Sequence, residues 1–314
     1  MDSQSTQASW YVILNPASGG AKRAINRCKI DRVLTAKDID YELHQTAQTG
    51  DAEELAEKAA LSGVRRILVA GGDGTLHEVV NGLMAAGASL SADITIGLLP
   101  LGTGNDWART LGVPLRLEAA CELLKTGLPV ACDLGEVACI KDGQVATAYF
   151  VNIAGVGIDA HIVRLVQDQS PGRMQYWIGL LKACRSFQAP QLQVCADGWQ
   201  HCGRTLGAFV CIGRFLAGGM RIAPQANYHD GLFEITVIDN LRPLEILLHI
   251  PMLLFGNLAS SGKVRTTQAR SVTVEGDGLV QADGEIIGHL PATFRAIPKA
   301  IRVLVDRRRL PGQL

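Results

Sequence analysis

The chain has no excess of charge: across 314 residues, 30 lysines and arginines meet 30 aspartates and glutamates. A dedicated nucleic-acid binder is normally basic, so no nucleic-acid partner is expected. Long apolar runs are missing too. None approaches the roughly 18 residues that span a bilayer, and the longest, residues 246–255, is broken by His249 and Pro251. The opening MDSQSTQASW has no basic start ahead of an apolar stretch, so no signal peptide is read there. The eight cysteines (28, 121, 132, 139, 184, 195, 202 and 211) include no C-x-x-C pair and no Cys/His spacing suited to zinc. Mostly buried thiols of a reduced compartment are expected, which points to the cytoplasm. The seven histidines form no pair with metal or nucleophile spacing, and neither a P-loop nor a G-x-G-x-x-G string occurs.

What is present is material for real cores, with 47% hydrophobic and 19% charged residues. The length suits roughly two domains. Charge is unevenly placed: eight acids lie between residues 31 and 58. Between 169 and 229, Arg173, Lys182, Arg185, Arg204, Arg214 and Arg221 face Asp197 alone. The tail adds Lys299, Arg302, Arg307, Arg308 and Arg309 against Asp306. Such local excess suits either solvated faces or an anionic membrane surface.

Up to residue 131, strands and helices alternate. WYVILN (10–15), YELHQT (41–46), RILVAGG (66–72) and TIGLLP (95–100) read as strands, with helices near 22–36, 51–62 and 75–86 between them. In the second of these helices, Ala52, Leu55, Ala56, Ala59 and Ala60 share one face and Glu54–Lys58 form an i,i+4 pair opposite. This pattern implies an α/β domain of Rossmann-like type with a mostly parallel sheet. From Asp133 the style changes to strands separated by turns, with helices near 159–167, 173–186 and 243–255. The division expected is a nucleotide-binding domain over 1–131, a β-rich, sandwich-like domain over 132–300, and a strand and tail over 301–314 that could return to the first.

The most informative segment is Gly71-Gly72-Asp73-Gly74-Thr75, set between a buried strand and an amphipathic helix carrying Leu76, Val79, Val80, Leu83 and Met84 at 3.6-residue spacing. Three glycines in four positions allow close backbone approach and positive φ. A helix start offers unpaired N–H groups and partial positive charge to phosphate. Asp73 would repel phosphate unless a divalent cation lies between them, which points to metal-assisted nucleotide chemistry. Thr75 and Glu78 also read as a T-x-x-E capping box for the same helix. His77 is expected on the exposed side. Two further loops follow strands at the same sheet edge, where ligands of open α/β sheets bind. One is Asn15-Pro-Ala-Ser-Gly-Gly20. The other is Leu99-Pro-Leu-Gly-Thr103-Gly-Asn105-Asp-Trp107-Ala-Arg109, in which Asn105 is a candidate N-cap and Trp107 is expected to pack the loop.

At these loops the chain resembles the catalytic domain of the diacylglycerol kinase family, and NPASGG and PLGTGNDWAR are more specific to its lipid-kinase branch than GGDGT. NIAGVGIDAHIV, GGMRIAPQANYHDGLFEI and QADGE resemble second-domain landmarks of bacterial members. The resemblance implies ATP and Mg²⁺ as cofactors. By position, Gly71, Gly72, Asp73, Gly74, Thr75 and Glu78 would lie around the ATP phosphates, and Asn15, Thr46, Thr103 and Asn105 would complete the nucleotide pocket. Asp73 would organise the catalytic magnesium, Glu285 would be the general base, and Asp133 would support both. Asp230, with the carbonyls of Asn227 and Leu232, would hold a second, structural magnesium. Two departures bear on that site: Gly213-Arg214 where relatives have Gly-Asn, and Ala217-Gly218-Gly219 in place of three glycines.

Without the resemblance, the Asp-Gly pairs at 142–143, 197–198, 230–231, 277–278 and 283–284 read as hairpin turns, and Asp283 stays one. Glu285 is then either a cleft-facing acid or an edge-strand charge. The reaction expected is transfer of the γ-phosphoryl of ATP to a lipid hydroxyl at a membrane surface, with diacylglycerol first in line. Phosphatidylglycerol, a sphingoid base and ceramide are alternative acceptors; an NAD kinase and a non-catalytic nucleotide- or lipid-binding protein are the competing readings. The segment Met174–Lys182 is a candidate membrane contact, and the family leaves a homodimer open.

Overall fold

The computed structural model describes residues 9–19, 27–166 and 173–306. Gly20, the start of the helix expected near 22–36, and Arg307, Arg308 and Arg309 therefore fall outside the described residues. The chain divides into two compact units. One takes the chain up to Gly102, then Gly112–Ala131 and the chain from Ile301 onward; the other takes Thr103–Leu111 and Cys132–Ala300. Residues 103–111, expected with the first domain, pack instead with the second unit. The reason lies in contacts with residues far along the chain. The Asp106 carboxylate accepts the Gly218 N–H at 2.8 Å, the Thr110 hydroxyl accepts that of Arg214 at 3.1 Å, and the buried Trp107 ring meets Tyr228 edge-on.

In chain order, the first unit runs β1 (Trp10–Leu14), α1 (Arg27–Thr35), β2 (Tyr41–Gln45), α2 (Asp51–Leu61), β3 (Arg66–Gly71), α3 (Asp73–Ala86), α4 (Ala88–Asp93) and β4 (Thr95–Pro100). After α5 (Asp106–Leu111), which belongs to the second unit, it continues with α6 (Leu117–Thr126). β1 pairs in parallel with β2 and β3, and β3 with β4. The last strand of the chain also pairs in parallel with β4, Arg302 opposite Thr95. One core of this unit gathers Val12, Leu14, Leu68, Ala70 and Leu99 from the strands with Ile30, Leu34, Ala120 and Leu124 from α1 and α6. α2 buries Ala52, Ala56, Ala59 and Ala60, the small-residue face read from its spacing. That face lets α3 come close: a Cβ on Gly82 would run into the Glu53 carbonyl.

The second unit is β-rich and antiparallel. Its elements are β5 (Leu128–Lys141), β6 (Gln144–Phe150), β7 (Ile153–Gly157), α7 (Ile158–Val166), α8 (Arg173–Ser186), β8 (Gln191–Ala196) and β9 (Trp199–Cys211). The short β10 (Phe215–Leu216) and β11 (Met220–Arg221) follow, then β12 (Phe233–Asp239), α9 (Pro243–Phe255), β13 (Val264–Ala269), β14 (Ser271–Gly276), β15 (Leu279–Ala282) and β16 (Glu285–Val305). β9 pairs with β7, β8 and β12, and β15 lies between β7 and β16. α7, α8 and α9 pack on a core that includes Ile153, Ile162, Leu180, Phe209 and Ile238. No described helix is long and apolar enough to cross a membrane. Among the described cysteines, 121, 132, 139 and 211 are buried, 28 and 202 are exposed, 195 is half-buried, and all are free thiols. Burial pushes the Cys121 thiol up to about 11, which leaves it inert.

Candidate active site

The turn at 71–75 is built by close approach and not by unusual backbone angles. None of Gly71, Gly72 and Gly74 has positive φ; Gly72, at the N-cap of α3, is extended at φ −103°. The glycines are needed for space. A Cβ on Gly71 would sit 2.5 Å from Thr75 Oγ1, and one on Gly72 would sit 3.1 Å from the Gly102 Cα of the loop after β4. Gly74 is exposed, with nothing within 4 Å of where its Cβ would go. Asp73 is half-buried in the first turn of α3, as its only acid there.

The expected capping box is not formed. α3 has no side-chain cap, and Glu78 caps its neighbour, its Oε2 accepting the Ala52 N–H in the first turn of α2 at 3.2 Å. Thr75 is buried and serves the loop: its hydroxyl accepts the Asn15 Nδ2–H at 3.1 Å and lies 3.5 Å from Ser18 Oγ. Asn15 Oδ1 in turn accepts the Ala17 N–H, which folds the first loop against the start of α3. Thr46 is buried where its N–H meets the Leu14 carbonyl at 2.9 Å. The structure thus brings Asn15, Thr46, Gly71, Gly72, Asp73, Gly74, Thr75 and Glu78 into the first unit, with the ends of β1 and β3 beside one another. His77 is buried, not exposed, and Asn81 one turn on donates to its carbonyl.

These residues fit a bound phosphate. The uncapped helix start, the glycine floor and the open space over Gly74 leave N–H groups and room for oxygens. The single carboxylate fits a magnesium held mainly by water and phosphate. Among the described residues no cluster of three His, Cys, Asp or Glu side chains is placed as a metal cage.

The remaining candidates lie in the second unit. Thr103 is half-buried, and Asn105 is buried in left-handed backbone at φ 51°, not the extended form of an N-cap; its carbonyl accepts the Arg109 N–H. Asp133 is 1% exposed on β5 and accepts the N–H of Gly231 at 2.7 Å and that of Lys299 at 2.8 Å. Burial raises its pKa, against the pull of those two bonds. Asp230 folds back on its own turn, Oδ1 accepting the Leu232 N–H at 3.0 Å. Asp133, Asn227, Asp230 and Leu232 therefore share one corner, joined by the Tyr228 carbonyl that accepts the Asp133 N–H.

Glu285 is exposed at the first position of β16, after the Asp283-Gly284 turn. The turn is held from two sides. The Asp283 carboxylate accepts the N–H groups of Val151, Asn152 and Ile153 at 2.9, 2.9 and 3.1 Å. The Gln281 side chain accepts the Gly284 N–H and donates to Asp159 at 2.6 Å. Asp283, read from the sequence as a plain turn residue, is an anchor. Its partners are 130–132 residues away in the chain, so no local spacing could have exposed it.

Two family models cover this architecture: the diacylglycerol kinase catalytic domain matches residues 9–137, and the YegS C-terminal NAD kinase beta sandwich-like domain matches 152–305. A Bacillus subtilis diacylglycerol kinase is 30% identical, over 95% of this chain and 96% of its own length. The chain belongs to the diacylglycerol kinase family. A Mycobacterium tuberculosis diacylglycerol kinase is 32% identical, with 94% of each chain covered. The crystal structure of a diacylglycerol kinase from Bacillus anthracis matches with a TM-score of 0.69 over 96% of this chain and 98% of its own, at 23% identity, and so shares the fold. As a member of this family the protein is a lipid kinase, an enzyme that uses ATP.

Proposed function

We propose that this lipid kinase transfers the γ-phosphoryl of ATP to the free hydroxyl of diacylglycerol, giving phosphatidic acid and ADP. The observation that carries the reading is the uncapped start of α3, lined by Gly71, Gly72 and Gly74 and bearing Asp73 as its one acid. The acceptor is supported by the names of the relatives that match nearly the whole chain. On this reading the first unit is a Rossmann-like nucleotide layer and the second is the acceptor domain. The work takes place on the surface of a membrane reached from the cytoplasm.

Phosphoryl transfer needs positioning and charge neutralisation more than covalent help. The N–H groups of the 71–75 turn bind phosphate oxygens, and Asn15 and Thr75 keep the turn in shape. Thr46, Thr103 and Asn105 are further nucleotide contacts on this reading. Asp73 would hold a magnesium ion, which when bound would supply positive charge to offset that of the phosphates. Glu285 accepts the hydroxyl proton as the acceptor oxygen bonds to the γ-phosphorus and the bond to the bridging oxygen breaks. Asp133 supports the base, and Asp230 with the Asn227 and Leu232 carbonyls suits a second, structural magnesium.

The test is incubation with labelled ATP and a panel of diacylglycerol, phosphatidylglycerol, a sphingoid base, ceramide and NAD. Label in phosphatidic acid is expected. Label in another product moves the acceptor; binding of ATP with no label in any product removes catalysis.

A further inference from the structure

Helix α9 is apolar on both sides. Its inner side, with Ile246, Ile250, Met252 and Leu253, packs on the core of the second unit. A surface helix normally turns polar residues to water. Here the outer side carries Leu244 (68% exposed), Leu248 (66%), Leu254 (45%) and Phe255 (73%). Leu244, Leu248, Pro251 and Phe255 fall at i, i+4, i+7 and i+11, one continuous stripe with no polar residue in it. α8 lies beside α9 and adds exposed Ile178 and Leu181. A patch of this kind marks an interaction surface.

Its frame is basic. Lys182 and Arg185 are exposed on α8, Arg242 immediately precedes α9, and Lys263 lies between α9 and β13. At the far end, Gly256 approaches the Arg221 side chain. An open pocket bounded by Trp199, His201, Arg204 and Arg265 adjoins the helix start, where the Arg204 carbonyl accepts the Asn240 N–H. The two acids nearby are engaged: Glu245 accepts the Arg242 N–H at 2.6 Å, and Asp239 lies 3.6 Å from Arg265. Apolar side chains ringed by lysine and arginine match an anionic lipid surface, where the stripe enters the acyl boundary and the cations meet head groups. A second copy of the chain would bring the same positive ring against itself.

We infer that the outer face of α9, extended by α8, is the surface by which the enzyme docks on anionic membranes. The inference rests on the reading of the protein as a kinase of membrane lipid, yet its test is independent of which lipid is phosphorylated. The full chain is floated with vesicles of phosphatidylcholine alone or mixed with phosphatidylglycerol. Binding to the mixed vesicles that weakens with salt is expected. The Leu248→Glu/Phe255→Glu variant should bind them roughly tenfold more weakly or worse, with unchanged melting temperature. Its turnover of water-dispersed short-chain diacylglycerol should be retained while turnover of vesicle-embedded substrate falls. An Arg204→Glu/Lys263→Glu variant, which leaves the stripe untouched, should lose the preference for mixed vesicles. Equal vesicle binding by wild type and both variants overturns the inference. So does a wild-type dimer that the stripe variant converts to monomer with vesicle binding intact. If short-chain diacylglycerol is not phosphorylated by any form while the vesicle results hold, the acceptor fails and the docking surface stands.

Discussion

The Asn15 side chain donates to the Thr75 hydroxyl at 3.1 Å across sixty residues of chain. This bond ties the end of β1 to the first turn of α3, and the Asn15 Oδ1 bond to Ala17 folds the intervening loop. Asn15→Ala removes both bonds and leaves the buried Thr75 hydroxyl with only the longer contact to Ser18 Oγ at 3.5 Å. A stability loss of about 1–2 kcal/mol is expected in urea titration. The KM for ATP should rise more than kcat falls, because the loop is displaced and not the chemistry. An unchanged KM would mean that the brace serves folding alone.

Two glycines three residues apart separate folding from binding. Gly71→Ala drives a methyl into Thr75, an overpacking that costs about 1–3 kcal/mol. Gly74→Ala meets nothing, and alanine in a helical turn gains up to about 1 kcal/mol over glycine. The methyl nevertheless stands in the space assigned to phosphate. Gly74→Ala should therefore melt at or above the wild-type temperature while binding ATP more weakly. A variant that is stabilised and binds ATP normally would place the phosphates elsewhere.

Removing charge at the two acids tests the proposed division of labour. Asp73→Asn should abolish transfer with the fold intact, and added magnesium should no longer tighten ATP binding. Glu285→Gln should lower kcat by roughly 10²-fold or more, the usual range for a lost general base, with ATP affinity retained. Glu285 is exposed, so its replacement should leave the melting temperature in place. Loss of ATP affinity in Glu285→Gln would argue against a proton-transfer role.

Asp283 gives a further comparison. Its carboxylate accepts three consecutive backbone N–H groups two residues before Glu285. Asp283→Ala orphans them, for a loss of about 3 kcal/mol or more. Asp283→Asn keeps an acceptor and should recover part of this. In both, kcat should fall further than KM for ATP changes, as β16 loses the footing of its first residue. Equal activity per folded molecule would make Asp283 an anchor of stability only.

What could be read in the sequence was whatever depends on neighbours in the chain. The small face of α2, the amphipathic α3 and the helix over 243–255 were legible from spacing, because period and burial are local properties. In the glycine loop the sequence pattern suggests close approach to a ligand and positive φ, whereas contacts with Thr75 and Gly102 inside the protein set the requirement. Glu78 illustrates the limit. Its spacing from Thr75 matches a capping box, yet the Ala52 N–H lies closer to hand across a helix pair that only the fold creates. His77 was misplaced for the same reason, since what covers it comes from tertiary packing. The grouping of 103–111 with the second unit depends on Gly218, Arg214 and Tyr228, all more than a hundred residues later.

Glu234 offers a pH test that does not involve the reaction. It is 5% exposed on β12, accepts backbone N–H groups from Gln225 and Ala226, and has the Arg214 charge nearby, yet its Oε2 has no hydrogen-bond partner. Burial outweighs these and raises its pKa from 4.5 to about 7. A carboxyl raised in the folded state binds a proton there that the unfolded chain has already lost. Stability should therefore fall as pH rises from about 4.5 to about 7, and level off above. The shift corresponds to a cost on the order of 3 kcal/mol for the ionised form. Glu234→Gln keeps an acceptor for the two N–H groups and removes the titration. Urea unfolding across this range should show the variant gaining on wild type as pH rises, from little difference below about pH 4.5 to its full advantage above about pH 7. Parallel stability curves would mean that Arg214 and the backbone bonds already hold Glu234 ionised at no cost.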